Sequence, residues 1–229
     1  MVMQQFIYTA SIWIVPVLIS ITIHEAAHGY VANLLGDDTA KKLGRVTLNP
    51  FKHIDKFGTV ILPLLLIVMK SPFVFGWAKP VPVKFYRLRN PLRDMVIVAI
   101  AGPITNIVLA FVAASILSAM YNFSLMENPW LVHTLANFIF INIILAVFNM
   151  LPIPPLDGGR VAVGLLPQYL SYQLVKLERY GFFIIITALF ILPLIGQQIG
   201  IPLEPIHWFI QSVSSFLISI IATTTGLQI

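Results

Sequence analysis

The chain has 229 residues, 58% hydrophobic and only 10% charged, with a mean hydropathy of +0.90. Soluble domains carry about 25% charged residues, so this composition excludes a soluble domain with an anchor and leaves one membrane-embedded domain over 1–229. The net charge of +5 lies on dispersed basic residues beside apolar runs, which argues against nucleic acid as a partner; the lack of cysteine excludes disulfides, thiolate ligands and a cysteine nucleophile.

Crossing a hydrocarbon core of about 30 Å takes roughly 20 apolar residues. Five segments meet that length, at about 9–35, 94–120, 131–151, 180–198 and 204–224. Met1 to Ala10 holds no Lys or Arg and no cleavage pattern follows, so the first span is expected to be retained. A sixth apolar stretch, Thr59 to Met69, is short, interrupted by Pro63 and ended by Lys70-Ser71-Pro72, and reads as a half-span or re-entrant element. The alternating prolines of the segment Phe75 to Tyr86 make it extended, so a strand or hairpin near the interface is expected there. The stretch 158–178 reads as a short helix and a polar surface connection bounded by Pro167. The expected fold is an all-α polytopic membrane protein of five to six transmembrane helices, with a short re-entrant or extended β element between the first spans.

Basic residues form three clusters: Lys41, Lys42, Arg45, Lys52 and Lys56; Lys70, Lys79, Lys84, Arg87, Arg89 and Arg93; Arg160, Lys176 and Arg179. The loops at 121–131 and 196–205 have none. The positive-inside rule places all three clusters in the cytoplasm, provided 58–75 enters and leaves on the same side. The N-terminus is then outside and the C-terminus inside, in a multi-pass protein of the cell membrane.

His24-Glu25-Ala26-Ala27-His28 lies inside the first apolar run. An ionisable group at membrane depth costs about 2.5–3.5 kcal/mol even on the lenient insertion scale, so three in five residues require a cause. Helical residues four apart share a face, where two imidazoles can grip one zinc ion, and the adjacent Glu25 can act as general base on a water. A buried polar cluster or proton relay is the other reading of the same residues.

Catalytic zinc sites usually take three protein ligands and keep one position open. Glu127, His133, Glu204 and His207 fall at the outer ends of spans, away from the His pair. Asp157 follows Asn149-Met150-Leu151-Pro152-Ile153-Pro154-Pro155-Leu156 and ends on the same side as the pair. Three prolines there let the chain turn, and Gly158-Gly159 permits a close backbone approach. Spacing alone leaves Asp157 either a ligand or the carboxylate of a turn or helix cap.

At these residues the chain resembles the site-2 proteases, which are intramembrane zinc metalloproteases. His24 to Gly29 resembles that family's zinc-binding helix, Gly102-Pro103-Ile104-Thr105-Asn106 its G-x-x-x-N motif, and Asn149 to Gly158 its N-x-x-P-x-x-x-x-D-G motif. Leu48-Asn49-Pro50, His53-Ile54-Asp55 and the segment 75–83 resemble a compact prokaryotic branch without an inserted PDZ domain. The resemblance implies one zinc ion per chain on His24, His28 and Asp157, with Glu25 as general base. It implies that Asn149 lies near the zinc as a catalytic group that stabilises the oxyanion or holds substrate; an interhelical hydrogen bond is its alternative. Asn106 is expected to pack helices together with Gly102, and His53 to support the site or stabilise its loop. The implied substrate is a transmembrane segment of another protein, which must unwind to be cut and could pair with the segment 75–86 by strand addition. A membrane zinc-binding or transport protein using the same ligands is the alternative from another class.

Overall fold

The computed structural model describes residues 2–69 and 76–227. Lys70-Ser71-Pro72 and Phe75 lie outside the described residues. The helices are α1 (Val2–Leu34), α2 (Thr39–Lys42), α3 (Lys56–Val68), α4 (Pro91–Asn122), α5 (Pro129–Asn149), α6 (Asp157–Leu165), α7 (Gln168–Ile199) and α8 (Pro205–Thr225). Five of them, α1, α4, α5, α7 and α8, are long and apolar enough to cross a membrane, as the sequence predicts. The protein is therefore an all-α multi-pass membrane protein.

Helix α3 holds six residues of π-helical turn and seven of α-helix. At 1.5 Å per residue these rise about 20 Å, short of the roughly 30 Å core. Its surroundings agree, because the Arg89 amide donates to Leu35 O at 3.0 Å, so the chain leaves α1 and enters α4 at the same end of the bundle. The chain from 35 to 90 thus begins and ends on one side.

Helices α1 and α4 run antiparallel and α5 runs parallel to α1, a pairing fixed by polar contacts spread along α1. Tyr8 meets His133 at 2.7 Å, Trp130 Nε1 donates to Ser11 at 2.8 Å, and Asn137 Nδ2 donates to Ile12 O at 2.9 Å. The last contact has a local cause. Pro16 lies within α1 and lacks the N–H that would pair with the carbonyl four residues back. In hydrocarbon that carbonyl needs a partner, and Asn137 supplies it. Deeper in, Ala110, Ala113 and Ala114 of α4 let its backbone approach Ile139, Ile143 and Val147 of α5.

The segment from Gly76 to Lys84 is extended, but the described residues include no strand. The β part of the expectation is thus corrected. Pro80 and Pro82 have no N–H, and four of the other amides are bound by loops and side chains in place of a ladder. The Trp77 amide binds Gly58 O, Lys79 binds His53 O, Val81 binds Glu25 Oε2 and Lys84 binds Asp37 Oδ2. Arg45 donates to Lys79 O at 2.7 Å. The segment is a strut clamped to α1.

Asp37 anchors the end of the strut. Fully buried, it accepts hydrogen bonds from the Thr39 hydroxyl, the Thr39 amide and the Lys84 amide. Burial pushes its carboxyl up, but these hydrogen bonds and the Arg87 charge outweigh burial and hold it below its ordinary value. A depressed folded pKa stabilises the protein fully above the unfolded value of about 3.9, and that stability is lost as pH falls through the folded value. Asp37→Ala is therefore expected to cost about 1–3 kcal/mol at neutral pH, with the deficit against wild type shrinking in acid, as read by thermal unfolding in detergent. By the same assay Asn137→Leu should cost about 1–2 kcal/mol, and adding Pro16→Ala should recover most of it by returning an N–H to Ile12 O.

Candidate active site

One helical turn separates His24 from His28, so both rings project from the same face of α1, with centroids 4.7 Å apart. Asp157 reaches them from the first turn of α6. The turn before it is compressed from both sides by glycines. A Cβ at Gly158 would lie 2.2 Å from Met150 O, one at Gly159 2.4 Å from Pro154 N, and one at Gly181 of α7 1.6 Å from Pro154 O. Only glycine lets these backbones meet, and their contact aims the carboxylate at the His pair.

The three side chains are buried, and their nearest ligand atoms lie within 4.8 Å of one another. The two Nε2 atoms are 3.0 Å apart, and Asp157 Oδ2 is 3.2 Å from each. The protons of both rings are directed elsewhere. His28 Nδ1 donates to the Val98 carbonyl at 2.7 Å, and His24 Nδ1 donates to Asn106 Oδ1 at 2.5 Å. Each Nε2 then carries a lone pair. Asp157 Oδ2 is buried without a hydrogen-bond donor. With both rings neutral, three acceptors face one point, an arrangement that a bound cation relieves. Tetrahedral ligands at 2.0–2.1 Å from zinc lie about 3.3 Å apart, close to the separations here. Gly102 of α4 forms the wall opposite: a Cβ there would sit 2.4 Å from His28 Nε2 and 2.7 Å from His24 Nε2, in the space an ion needs. The donor set and the cradle fit zinc.

Glu25 lies about 60° around α1 from His28 and about 100° from His24, so it projects beside the face that carries the His pair. It is half-buried, and its Oε2 accepts the Val81 amide at 2.7 Å. Val81 carries the one N–H of the triplet Pro80-Val81-Pro82, and that N–H is committed to Glu25.

The other carboxylates at this end of the bundle have local duties. Asp55 caps α3 through Phe57 and Gly58, Asp94 caps the start of α4 through the Asn90 amide, and Asp38 pairs with Lys42 and Arg87. His53 Nε2 donates to Thr47 O while its own carbonyl receives the Lys79 amide, so it ties loop to strut. His133 meets Tyr8 at the opposite end. Asn149 ends α5 half-buried, and its Nδ2 donates to Leu145 O of its own helix at 2.9 Å, a bond neither across helices nor to the His–Asp group. Asn106 does more than pack, since it holds His24. Sequence reasoning missed the Val81 amide, the Val98 carbonyl and Asn142, which binds Asn106; an asparagine within an apolar span was the one available signal among these.

A model of peptidase family M50 matches residues 12–129 and 119–192. The chain belongs to peptidase family M50. Curated relatives agree. The chain is 40% identical over 185 residues, 79% of its length and 80% of the relative's, to a protein of Bacillus subtilis (strain 168) named "Putative zinc metalloprotease YwhC". It is 29% identical over 205 residues to one of the same description, Rip2, of Mycolicibacterium smegmatis, covering 88% of this chain and 74% of that one. No solved structure matches. This membership makes the chain a zinc-dependent peptidase of the membrane, of the site-2 protease kind, and the His24–His28–Asp157 group is where its described residues could hold the metal.

The cradle gives a prediction for this peptidase. Gly102→Ala should place a methyl group in the ion's space, abolishing stoichiometric zinc in metal analysis of the purified protein while circular dichroism remains that of the wild type.

Proposed function

We propose that this peptidase hydrolyses peptide bonds within transmembrane segments of other membrane proteins, near the cytoplasmic face of the cell membrane, with His24, His28 and Asp157 as metal ligands and Glu25 as general base. The observation that carries the reading is the convergence of three buried acceptors at one end of an apolar bundle, with a carboxylate beside them on the same helix. When bound, zinc supplies a Lewis acid that polarises a carbonyl and lowers the pKa of a water towards about 7.

The protein's own groups supply the rest. Glu25 takes the proton of the attacking water and returns it to the leaving amine. The Val81 amide fixes Oε2, and among the described residues Oε1 accepts no hydrogen bond, which leaves that oxygen for the proton. Asn149 stands at the end of α5 where the chain turns towards Asp157; turning its amide from Leu145 O would offer a donor to a developing oxyanion. The sidedness is supported by charge. Among the described residues, the basic ones of 41–56, 79–93 and 160–179 belong to segments that start or end at the His–Asp end, and the loops at the other end, 123–128 and 200–204, have none. A helical substrate hides its carbonyls in internal hydrogen bonds, so the cut needs a locally unwound stretch. The strut is poorly suited to pair with it, since the amides of Trp77, Lys79, Val81 and Lys84 already have partners.

The decisive variant is Glu25→Gln. It should retain stoichiometric zinc and lose about 10²–10⁴-fold in cleavage of a membrane-embedded substrate in detergent or liposomes. Unchanged cleavage would sink the general-base assignment. Zinc retained in Asp157→Ala would sink the ligand set.

A further inference from the structure

A histidine ligates through Nε2 only when its proton sits on Nδ1, so whatever faces Nδ1 decides whether the ring can bind metal. For His28 the decision is absolute, because its partner is the Val98 carbonyl, which only accepts. For His24 it is conditional. Its partner is the side-chain amide of Asn106, which can present either an oxygen or an NH2 group. With the NH2 group turned towards it, Nδ1 would have to accept, and the ring proton would move to Nε2, pointing into the metal site.

What prevents this lies one helix further away. Asn106 Nδ2 donates to Asn142 Oδ1 at 2.7 Å. Asn142 Nδ2 in turn donates to the Phe138 carbonyl and to Ser20 Oγ, both at 2.8 Å. Phe138 O cannot donate, so Asn142 must turn its NH2 group to it and its oxygen to Asn106. Asn106 must then turn its oxygen to His24. Asn106, Asn142 and Ser20 are each 0% exposed, so no water can stand in for a missing partner. We propose that Asn142 is a positioning residue which, through Asn106, locks His24 in the tautomer that presents Nε2 to the metal. The direction of the chain starts from a backbone carbonyl of α5 and ends on α1, crossing α4 on the way. Asn142 lies outside the three motifs that carry the metal ligands and Glu25. The inference rests on the reading of His24 as a ligand.

The test uses the full chain in detergent, with zinc affinity read by competition with a chromogenic chelator and the His24 tautomer read from ring 15N shifts of the metal-free protein. Asn142→Leu removes the acceptor that orients Asn106; it should weaken zinc by about 10–100-fold and shift the His24 ring from the Nδ1-protonated form to a mixture. Adding Asn106→Asp should restore both readouts towards wild type, because a carboxylate offers His24 only acceptors. Asn142→Asp keeps an acceptor towards Asn106 and should hold zinc within a few-fold of wild type; it carries the test if Asn142→Leu does not fold. Ser20→Ala should leave the tautomer unchanged, since Phe138 O alone sets the direction. The proposal is overturned by wild-type affinity in Asn142→Leu, by a loss there that Asn106→Asp does not repair, or by a comparable loss in Asn142→Asp. Failure of the functional reading looks different: Asp157→Ala would then bind zinc as the wild type does.

Discussion

Two imidazole nitrogens and a carboxylate oxygen, all acceptors, stand 3.0–3.2 Å apart in the interior of an apolar bundle. With both imidazoles neutral and no cation bound this arrangement is repulsive, and burial removes the water that would screen it. Much of the structure follows from the need to hold it. Three elements far apart in sequence must meet at one point, so α1 and α4 are antiparallel and the Pro-rich turn after α5 is pressed between glycines of α6 and α7. Space for the ion comes from the missing side chain of Gly102. Lone pairs face inward because each Nδ1 proton is drawn outward, one by a carbonyl and one by an amide.

The same constraint governs the polar atoms that never touch the site. An unpaired carbonyl in hydrocarbon costs several kcal/mol, so every device that breaks regular pairing needs a partner elsewhere. Pro16 strips a hydrogen bond from Ile12 O, and Asn137 of α5 restores one. That repair also fixes the register of α5 against α1, which in turn sets Asn142 level with Ser20 and Asn106. One local defect in α1 is thereby tied to the alignment of the helix that orients His24.

Much of this was legible in the sequence, and the reasons differ by element. The five spans follow from length and hydropathy, which need no partner to be read. His24, Glu25 and His28 are legible because helical spacing and the energetic penalty of ionisable groups in a span act together. Asp157 was half legible: charge placed it on the correct side, but whether it capped a helix or faced the His pair depended on backbone contacts among Gly158, Gly159 and Gly181 that spacing does not encode. The strut was misread as a strand because alternating prolines specify extended backbone and not its partners; its donors bind loops and the side chains of Glu25 and Asp37. Asn142 was invisible as a functional residue, since one asparagine in a span reads equally well as helix glue.

The helical wheel of α1 separates the two halves of the chemistry. His24 and His28 face α4 and α6, where bundle packing and a buried amide chain set their geometry. Glu25 points about 60° round the helix from His28 and about 100° from His24, where it is held by one amide of an extended segment. A general base must exchange a proton with water and with a leaving amine during each turnover, which a rigid burial like that of Asp157 would impede. A metal ligand must not move at all. On the proposed roles, one helix meets both demands because adjacent residues on it, His24 and Glu25, point about 100° apart.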